Sequence, residues 1–279
     1  MHPGPLFSVF GYNVYPYGTL IALGLIACLV VFFLYTNKMG MNKDVQDFVY
    51  FVAIFAIALG FLSAKLFQAL YDYIAHPELG FDFMGAGLTV MGGIVGGVIM
   101  FIAIYFGIGH FIFKKRNNIH ITQFNEILRV APACITVAHA FGRLGCLMAG
   151  CCYGRVTTSE FFGIYMRGAN RLPTQLYEAI FLFILFAVIS VLYFKKFNYT
   201  HVLYLVAYAI WRFVIEFFRS DYVGGSGALR PSQWQSIIFI LVAVAIVVYY
   251  KIRKYPTFVT YDLHETRNKK RIVAKKETE

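Results

Sequence analysis

The sequence predicts an all-α membrane protein of about seven transmembrane helices, and three observations carry that prediction. Of 279 residues, 59% are hydrophobic and only 14% charged. A soluble domain carries about 25% charged residues, so this chain lacks the polar surface to face water all round. Apolar runs close to the roughly 20 residues of a bilayer crossing recur along it. The segments between these runs alternate in basic content, as expected of a chain that crosses a membrane repeatedly.

The spans are expected near 15–36, 47–74, 87–112, 125–150, 174–194, 200–218 and 232–250. Lys38 and Lys43 follow the first span, Lys114, Lys115 and Arg116 follow the third, and Lys195 and Lys196 follow the fifth. By the positive-inside tendency these loops are cytoplasmic. The N-terminus and the 75–86, 151–173 and 219–231 loops then face outward. Arg155, Arg167, Arg171, Arg219 and Arg230 run against that assignment unless they have work there. The opening "MHPGPLFSVFGYNVYPYG" has no Lys or Arg ahead of the first apolar run, so it does not read as a cleaved signal peptide.

Residues 1–250 are expected to form one transmembrane domain and 251–279 a basic cytoplasmic tail. That tail holds nine of the 25 Lys and Arg residues behind the net charge of +11. Such a tail is an anchor for anionic headgroups, so the charge is no argument for nucleic-acid binding. Neither a soluble domain nor an internal repeat is apparent.

A charge within a span costs about 2.5–3.5 kcal/mol on insertion scales and needs a partner or a watery cavity. Glu126 and Arg129, at i, i+3 near the start of the fourth span, read as a structural pair or as reaching the interface. Lys65, His139, Arg143, Glu178, Arg212, Glu216 and Arg219 all fall toward the outward side. Tyr17 and the segment "GLTVMGG" open their spans from that same side. Tyr208, Arg212, Glu216 and Arg219 share one helical face, and His139 and Arg143 are i, i+4. One explanation is an internal ion-pair ladder tying helices together. The other is a site for an anionic lipid headgroup, since arginine recognises phosphate bidentately in poorly hydrated places.

The order of motifs then becomes specific. "YPYGTLIALG", "LSAKLF", "GLTVMGGIVGG", "GRLGCLMAGCCYG", "LPTQLYE", "YAIWRFVIEFFRSD" and "SQWQSI" follow one another along nearly the whole chain. Together they resemble the prolipoprotein diacylglyceryl transferases, bacterial membrane enzymes that begin lipoprotein maturation. The departures are local. The family usually has His where this chain has Met91, Asn at Cys146, Glu at Cys151 and Arg at Lys65, while Arg143, Gly145, Gly154, Arg212 and Glu216 match. The phosphate-binding half of the site thus looks intact and the acid–base half rewritten.

The resemblance implies that the diacylglyceryl group of phosphatidylglycerol moves to the lipobox cysteine of a preprolipoprotein signal peptide, leaving glycerol phosphate. It implies a multi-pass protein of the bacterial inner membrane with its site toward the outer leaflet. Arg143 and Arg212 would hold the phosphate, His139 is the candidate base, and Glu216 would orient the arginines. Tyr17, Lys65, Gly92, Gly93, Gly145, Gly154, Gln175, Tyr177, Glu178, Tyr208 and Arg219 complete the lipid-binding set. His139 can equally be a hydrogen-bonded core residue. No metal or organic cofactor is expected.

Cys146, Cys151 and Cys152 stay open. They read as small buried hydrophobes, as a disulfide of Cys146 with Cys151 or Cys152, or as a zinc site with His139, though their spacing matches no standard finger. Cys28 and Cys134 read as packing residues. The rival functions are a family-related transferase with another acceptor, a membrane thiol oxidoreductase, and a seven-helix receptor or transporter. The oxidoreductase lacks a Cys-x-x-Cys motif and leaves the arginines unexplained. The receptor or transporter lacks a lysine in the last span and internal repeats.

Overall fold

The structure, a computed structural model, describes residues 4–9, 12–220 and 229–258. After a short hairpin of β1 (Phe7–Val9) and β2 (Tyr12–Val14) come α1 (Pro16–Lys38), α2 (Lys43–Ala75), α3 (Val90–Phe113) and α4 (Ile119–Ala149). A second hairpin, β3 (Ile164–Met166) and β4 (Ala169–Arg171), precedes α5 (Thr174–Phe194), α6 (Thr200–Ile215) and α7 (Pro231–Ile252). Among the described residues seven helices are long and apolar enough to cross a membrane, so this is a multi-pass, all-α membrane protein.

The expected ends shift for local reasons. The second helix starts at Lys43 rather than near 47, because the Asn42 side chain accepts from the Asp44 and Val45 amides. The third starts at Val90, after the non-helical stretch through Thr89. The sixth closes in a 3-10 turn at Glu216–Phe218. The last runs to Ile252, and the basic tail beyond Phe258 lies outside the described residues.

The chain divides into two compact units: residues through Met39 with those from Glu126 onward, and Gly40–Asn125. In the second unit α2 and α3 approach closely through small residues. A Cβ on Gly60 would stand 3.1 Å from the Gly93 carbonyl oxygen, and one on Gly92 would stand 2.6 Å from Phe67 Cβ. Gly92 and Gly96, like Gly93 and Gly97, recur at i, i+4, the spacing that lets helix backbones meet where no hydrophobic effect drives them together. Ser63 Oγ donates to the Gly92 carbonyl at 2.9 Å, and Thr89 Oγ1 to Gln68 Oε1 at 2.5 Å. Lys65 stands over the Phe83 ring, 5.5 Å from its centre.

The first unit is built on α4, α5 and α6. Ala133, Leu185 and Ile189 form one buried cluster, joined by Val31 and Tyr35 of α1; Ala140, Leu182 and Tyr208 form another, joined by Phe239 of α7. Beyond these clusters, many apolar side chains face outward while several charged ones are buried. Ile26, Leu34, Ile184 and Leu241 are exposed, whereas Glu126, Arg129, Glu178 and Glu216 are buried. Lipid tails satisfy the former, and the latter satisfy one another.

Glu126 and Arg129 form a buried ion pair within α4. Both are fully buried. Arg129 Nη1 donates to Glu126 Oε2 at 2.6 Å, Tyr193 Oη donates to Glu126 Oε1 at 2.5 Å, and Arg129 Nη2 donates to the Tyr193 carbonyl at 3.1 Å.

Candidate active site

Four helix ends of the first unit meet around two carboxylates. Arg143 lies in the last two turns of α4, Glu178 in the second turn of α5, Arg212 and Glu216 at the end of α6, and Arg230 caps α7. The i, i+4 and i, i+7 spacings brought His139 to Arg143 and Arg212 to Glu216 and Arg219. The tertiary fold adds the cross-helix partner, Glu178.

Glu178 is the hub. Its Oε2 lies 3.0 Å from Arg143 Nε and 3.8 Å from Arg212 Nη1. Its Oε1 accepts from Tyr208 Oη at 3.1 Å and lies 3.8 Å from His139 Nε2. Glu216 serves the other end. Its Oε2 is 3.0 Å from Arg212 Nη2 and 3.6 Å from Arg219 Nη1, while its Oε1 is 3.4 Å from Arg230 Nη1. Arg230 also donates to the Arg219 carbonyl at 3.2 Å. Four guanidiniums therefore face two carboxylates, and the cluster carries surplus positive charge among the described residues. Arg212 Nη1 is buried without a hydrogen-bond partner there. A buried N–H left in that state is costly unless something accepts from it.

The loop after α4 is held against this cluster by backbone and side-chain bonds. Gly154 donates its amide to the Leu172 carbonyl at 2.8 Å, and Arg155 donates its amide to the Phe218 carbonyl at 2.9 Å. A Cβ on Gly154 would meet both those carbonyl oxygens at 2.8 Å, so the close approach needs glycine. Gln175 Nε2 donates to the Cys151 carbonyl at 2.8 Å, and Thr174 Oγ1 to the Cys152 carbonyl at 2.7 Å. The "LPTQLYE" segment thus does two things: Thr174 and Gln175 fasten the loop, and Glu178 gathers the arginines.

The remaining expected residues are placed as follows. Gly145 lets α4 meet the start of α1, since a Cβ there would stand 3.2 Å from the Tyr17 ring. Tyr17 is exposed and lines a pocket of about 600 Å³ with Asn13, Pro16, Met148 and Ala149. Tyr177 Oη donates to the Phe162 carbonyl at 2.5 Å, engaging its hydroxyl with the loop. Tyr208 is buried and its hydroxyl is turned to Glu178. Lys65, Gly92 and Gly93 belong to the other unit, the two glycines at the α2–α3 contact and Lys65 over the Phe83 ring before α3. Arg230, an outward-side charge in the sequence, opens "RPSQ", a helix-start signal; its amide donates to Gln233 Oε1 at 3.0 Å.

Cys146 at the end of α4 and Cys151 and Cys152 just after it are free thiols whose sulfurs all lie within 4.8 Å of one another. Cys152 has its thiol pKa pulled down by hydrogen bonds from Cys146 and Cys151, and further by the cationic Arg143 and Arg219.

A family profile described as prolipoprotein diacylglyceryl transferase matches residues 5–249. A phosphatidylglycerol–prolipoprotein diacylglyceryl transferase of Clostridium tetani is 31% identical over 261 residues, covering 89% of this chain and 98% of the relative. The second such transferase of Clostridium perfringens is 31% identical over 248 residues, covering 84% and 90%. The Dehalococcoides mccartyi transferase is 34% identical over 261 residues, covering 89% and 93%.

Proposed function

Because the chain belongs to the prolipoprotein diacylglyceryl transferase family, we propose that it transfers the diacylglyceryl group of phosphatidylglycerol to the lipobox cysteine of preprolipoproteins, at the outer leaflet of the cytoplasmic membrane. The relatives' names supply the donor and the acceptor. The observation that carries the site assignment is the surplus of guanidiniums over carboxylates around Glu178 and Glu216.

The charge fits the chemistry. Phosphatidylglycerol enters as a phosphodiester with one negative charge. When its diacylglyceryl carbon–oxygen bond breaks, the departing glycerol phosphate carries two. Cations fixed where that second charge develops lower the barrier, because they need no reorganisation at the moment of reaction. Arg143 and Arg212 do this, and Arg212 Nη1, which has no hydrogen-bond partner among the described residues, can donate to a phosphate oxygen. Glu178 and Glu216 keep the guanidiniums in place before the lipid arrives, and Tyr208 keeps the Glu178 carboxylate turned toward them. Arg219 and Arg230 hold the far side of Glu216. Tyr17, at the exposed pocket where α1 begins, is placed to meet the lipid's glycerol or the incoming peptide.

The test is transfer of labelled diacylglyceryl from phosphatidylglycerol vesicles to a lipobox peptide, with a cysteine-to-serine peptide as control. The wild-type chain labels only the cysteine peptide. Arg212→Ala lowers kcat by about 10²–10³-fold, the loss typical of removing one transition-state donor. Properly inserted wild-type protein that consumes no phosphatidylglycerol overturns the reading.

A further inference from the structure

We propose that Cys146, Cys151 and Cys152 form a three-thiolate site for a soft divalent cation, zinc above all, whose open fourth position takes the substrate thiol. The metal-binding part stands on this structure alone; the substrate part rests on the transferase reading above.

The geometry is that of three ligands converging on one point. In a tetrahedral zinc site with Zn–S bonds of about 2.3 Å, sulfurs stand roughly 3.8 Å apart. Here all three sulfurs lie within 4.8 Å of one another before any ion draws them in. Spacing alone hid this arrangement, because two backbone reversals produce it. Gly150 has φ 65° and Cys152 has φ 60°, the latter an uncommon conformation for a residue with a Cβ. The reversal is fastened on both sides. The Cys151 amide donates to the Cys146 carbonyl at 3.2 Å, and α5 donates to the Cys151 and Cys152 carbonyls through Gln175 and Thr174. Ordinary packing of small side chains needs none of this. A disulfide uses two sulfurs and leaves the third unexplained.

Three protein ligands with a vacant fourth position is the pattern of catalytic rather than structural zinc. The proposed reaction calls for such a site. The substrate thiol must become a thiolate, and His139, the candidate base, has Nε2 directed to Glu178. A zinc ion removes the need for a strong base. The peptide's S–H binds zinc as thiolate and its proton leaves to solvent. The zinc-bound sulfur attacks the glyceryl carbon, a carbon–sulfur bond forms, and the carbon–oxygen bond to phosphate breaks. Its electron pair leaves with glycerol phosphate among the arginines. The product thioether is a neutral, weak ligand and dissociates, freeing the fourth position. Zinc with three thiolates carries one net negative charge, and the guanidiniums of Arg143 and Arg219 lie close enough to act on Cys152.

The experiment uses the full-length chain in detergent micelles, reduced and desalted. The expected result is about one zinc per chain as purified, with a thiolate-to-cobalt charge-transfer band on cobalt(II) substitution. Both are lost in C146S/C151S/C152S. A lipobox peptide then shifts the cobalt ligand-field bands, and its serine counterpart does not. Background zinc with no charge-transfer band, in a chain whose thiols titrate as reduced, overturns the site, whether or not the triple variant folds. A cobalt spectrum indifferent to the peptide's cysteine overturns the substrate role. Full transfer activity in metal-free chain also overturns that role while upholding the transferase reading. A peptide-sensitive cobalt site without any transfer upholds the metal site and sinks the transferase reading.

Discussion

Glu178→Gln is the most informative single change, because it removes charge while keeping shape. Glu178 is 2% exposed and serves Arg143, Arg212, Tyr208 and His139 at once. Arg212 keeps Glu216 at 3.0 Å, but Arg143 keeps no other carboxylate among the described residues. Removing one partner of a buried ion pair costs about 3–5 kcal/mol, mostly for the charge left behind. Arg143 is 14% exposed at its side chain and can draw some water, so the lower end applies, about 3 kcal/mol. That is roughly a hundredfold in the folded-to-unfolded ratio. The assay is unfolding in mixed micelles, first with zwitterionic lipid and then with added phosphatidylglycerol. If the cluster is a phosphate site, the lipid supplies the missing negative charge and restabilises the variant more than the wild type. Saturation at about 100 times the dissociation constant restores about 2.7 kcal/mol. Equal stabilisation of both proteins by phosphatidylglycerol, or a variant as stable as wild type in zwitterionic lipid, would refute the reasoning.

Three further outcomes are expected. Gly154→Ala breaks the loop away from Leu172 and Phe218, because two of the three contacts at 2.8 Å are to backbone oxygens that cannot yield; limited proteolysis within residues 150–173 detects it, and an unchanged cleavage pattern counts against that packing. Arg129→Met strands a buried Glu126 carboxylate and costs about 3–5 kcal/mol, whereas the double variant E126L/R129M regains most of it; comparing their unfolding midpoints tests whether the pair is structural only. In reduced, metal-free protein the lowered pKa of Cys152 favours its thiolate, so its alkylation continues as pH falls below 9.0, where an ordinary thiol becomes protonated and slows. Mass-spectrometric labelling against a free cysteine peptide checks this, and parallel pH profiles would contradict it.

The seven crossings, the pairing of Glu126 with Arg129, and the helical ladder of Arg212, Glu216 and Arg219 could all be read from the chain. Each depends on local periodicity or on a cost that acts wherever the residue sits: about 20 apolar residues to span a bilayer, and a partner for any charge inside it. Glu178 was visible as a charge at a helix start, but not as the group that gathers Arg143, Arg212, Tyr208 and His139. That role requires α4, α5 and α6 to place their ends together, which no spacing within one helix encodes. The helix ends followed capping chemistry at Asn42 and the 3-10 turn at Glu216, both finer than a hydropathy run resolves.

The cysteines divide the two kinds of information most sharply. Composition and spacing showed three thiols and matched them to no ligand pattern, because such patterns assume a regular turn between ligands. The loop here reverses at Gly150 and Cys152 and is fastened by Thr174 and Gln175, more than twenty residues along the chain. By itself the sequence determined that the protein lives in a membrane and carries buried charges there that need partners. Which carboxylates hold the arginines, and that three sulfurs lie within 4.8 Å of one another, were decided by tertiary structure. Burial penalties act residue by residue, whereas convergence is a property of helices packed side by side.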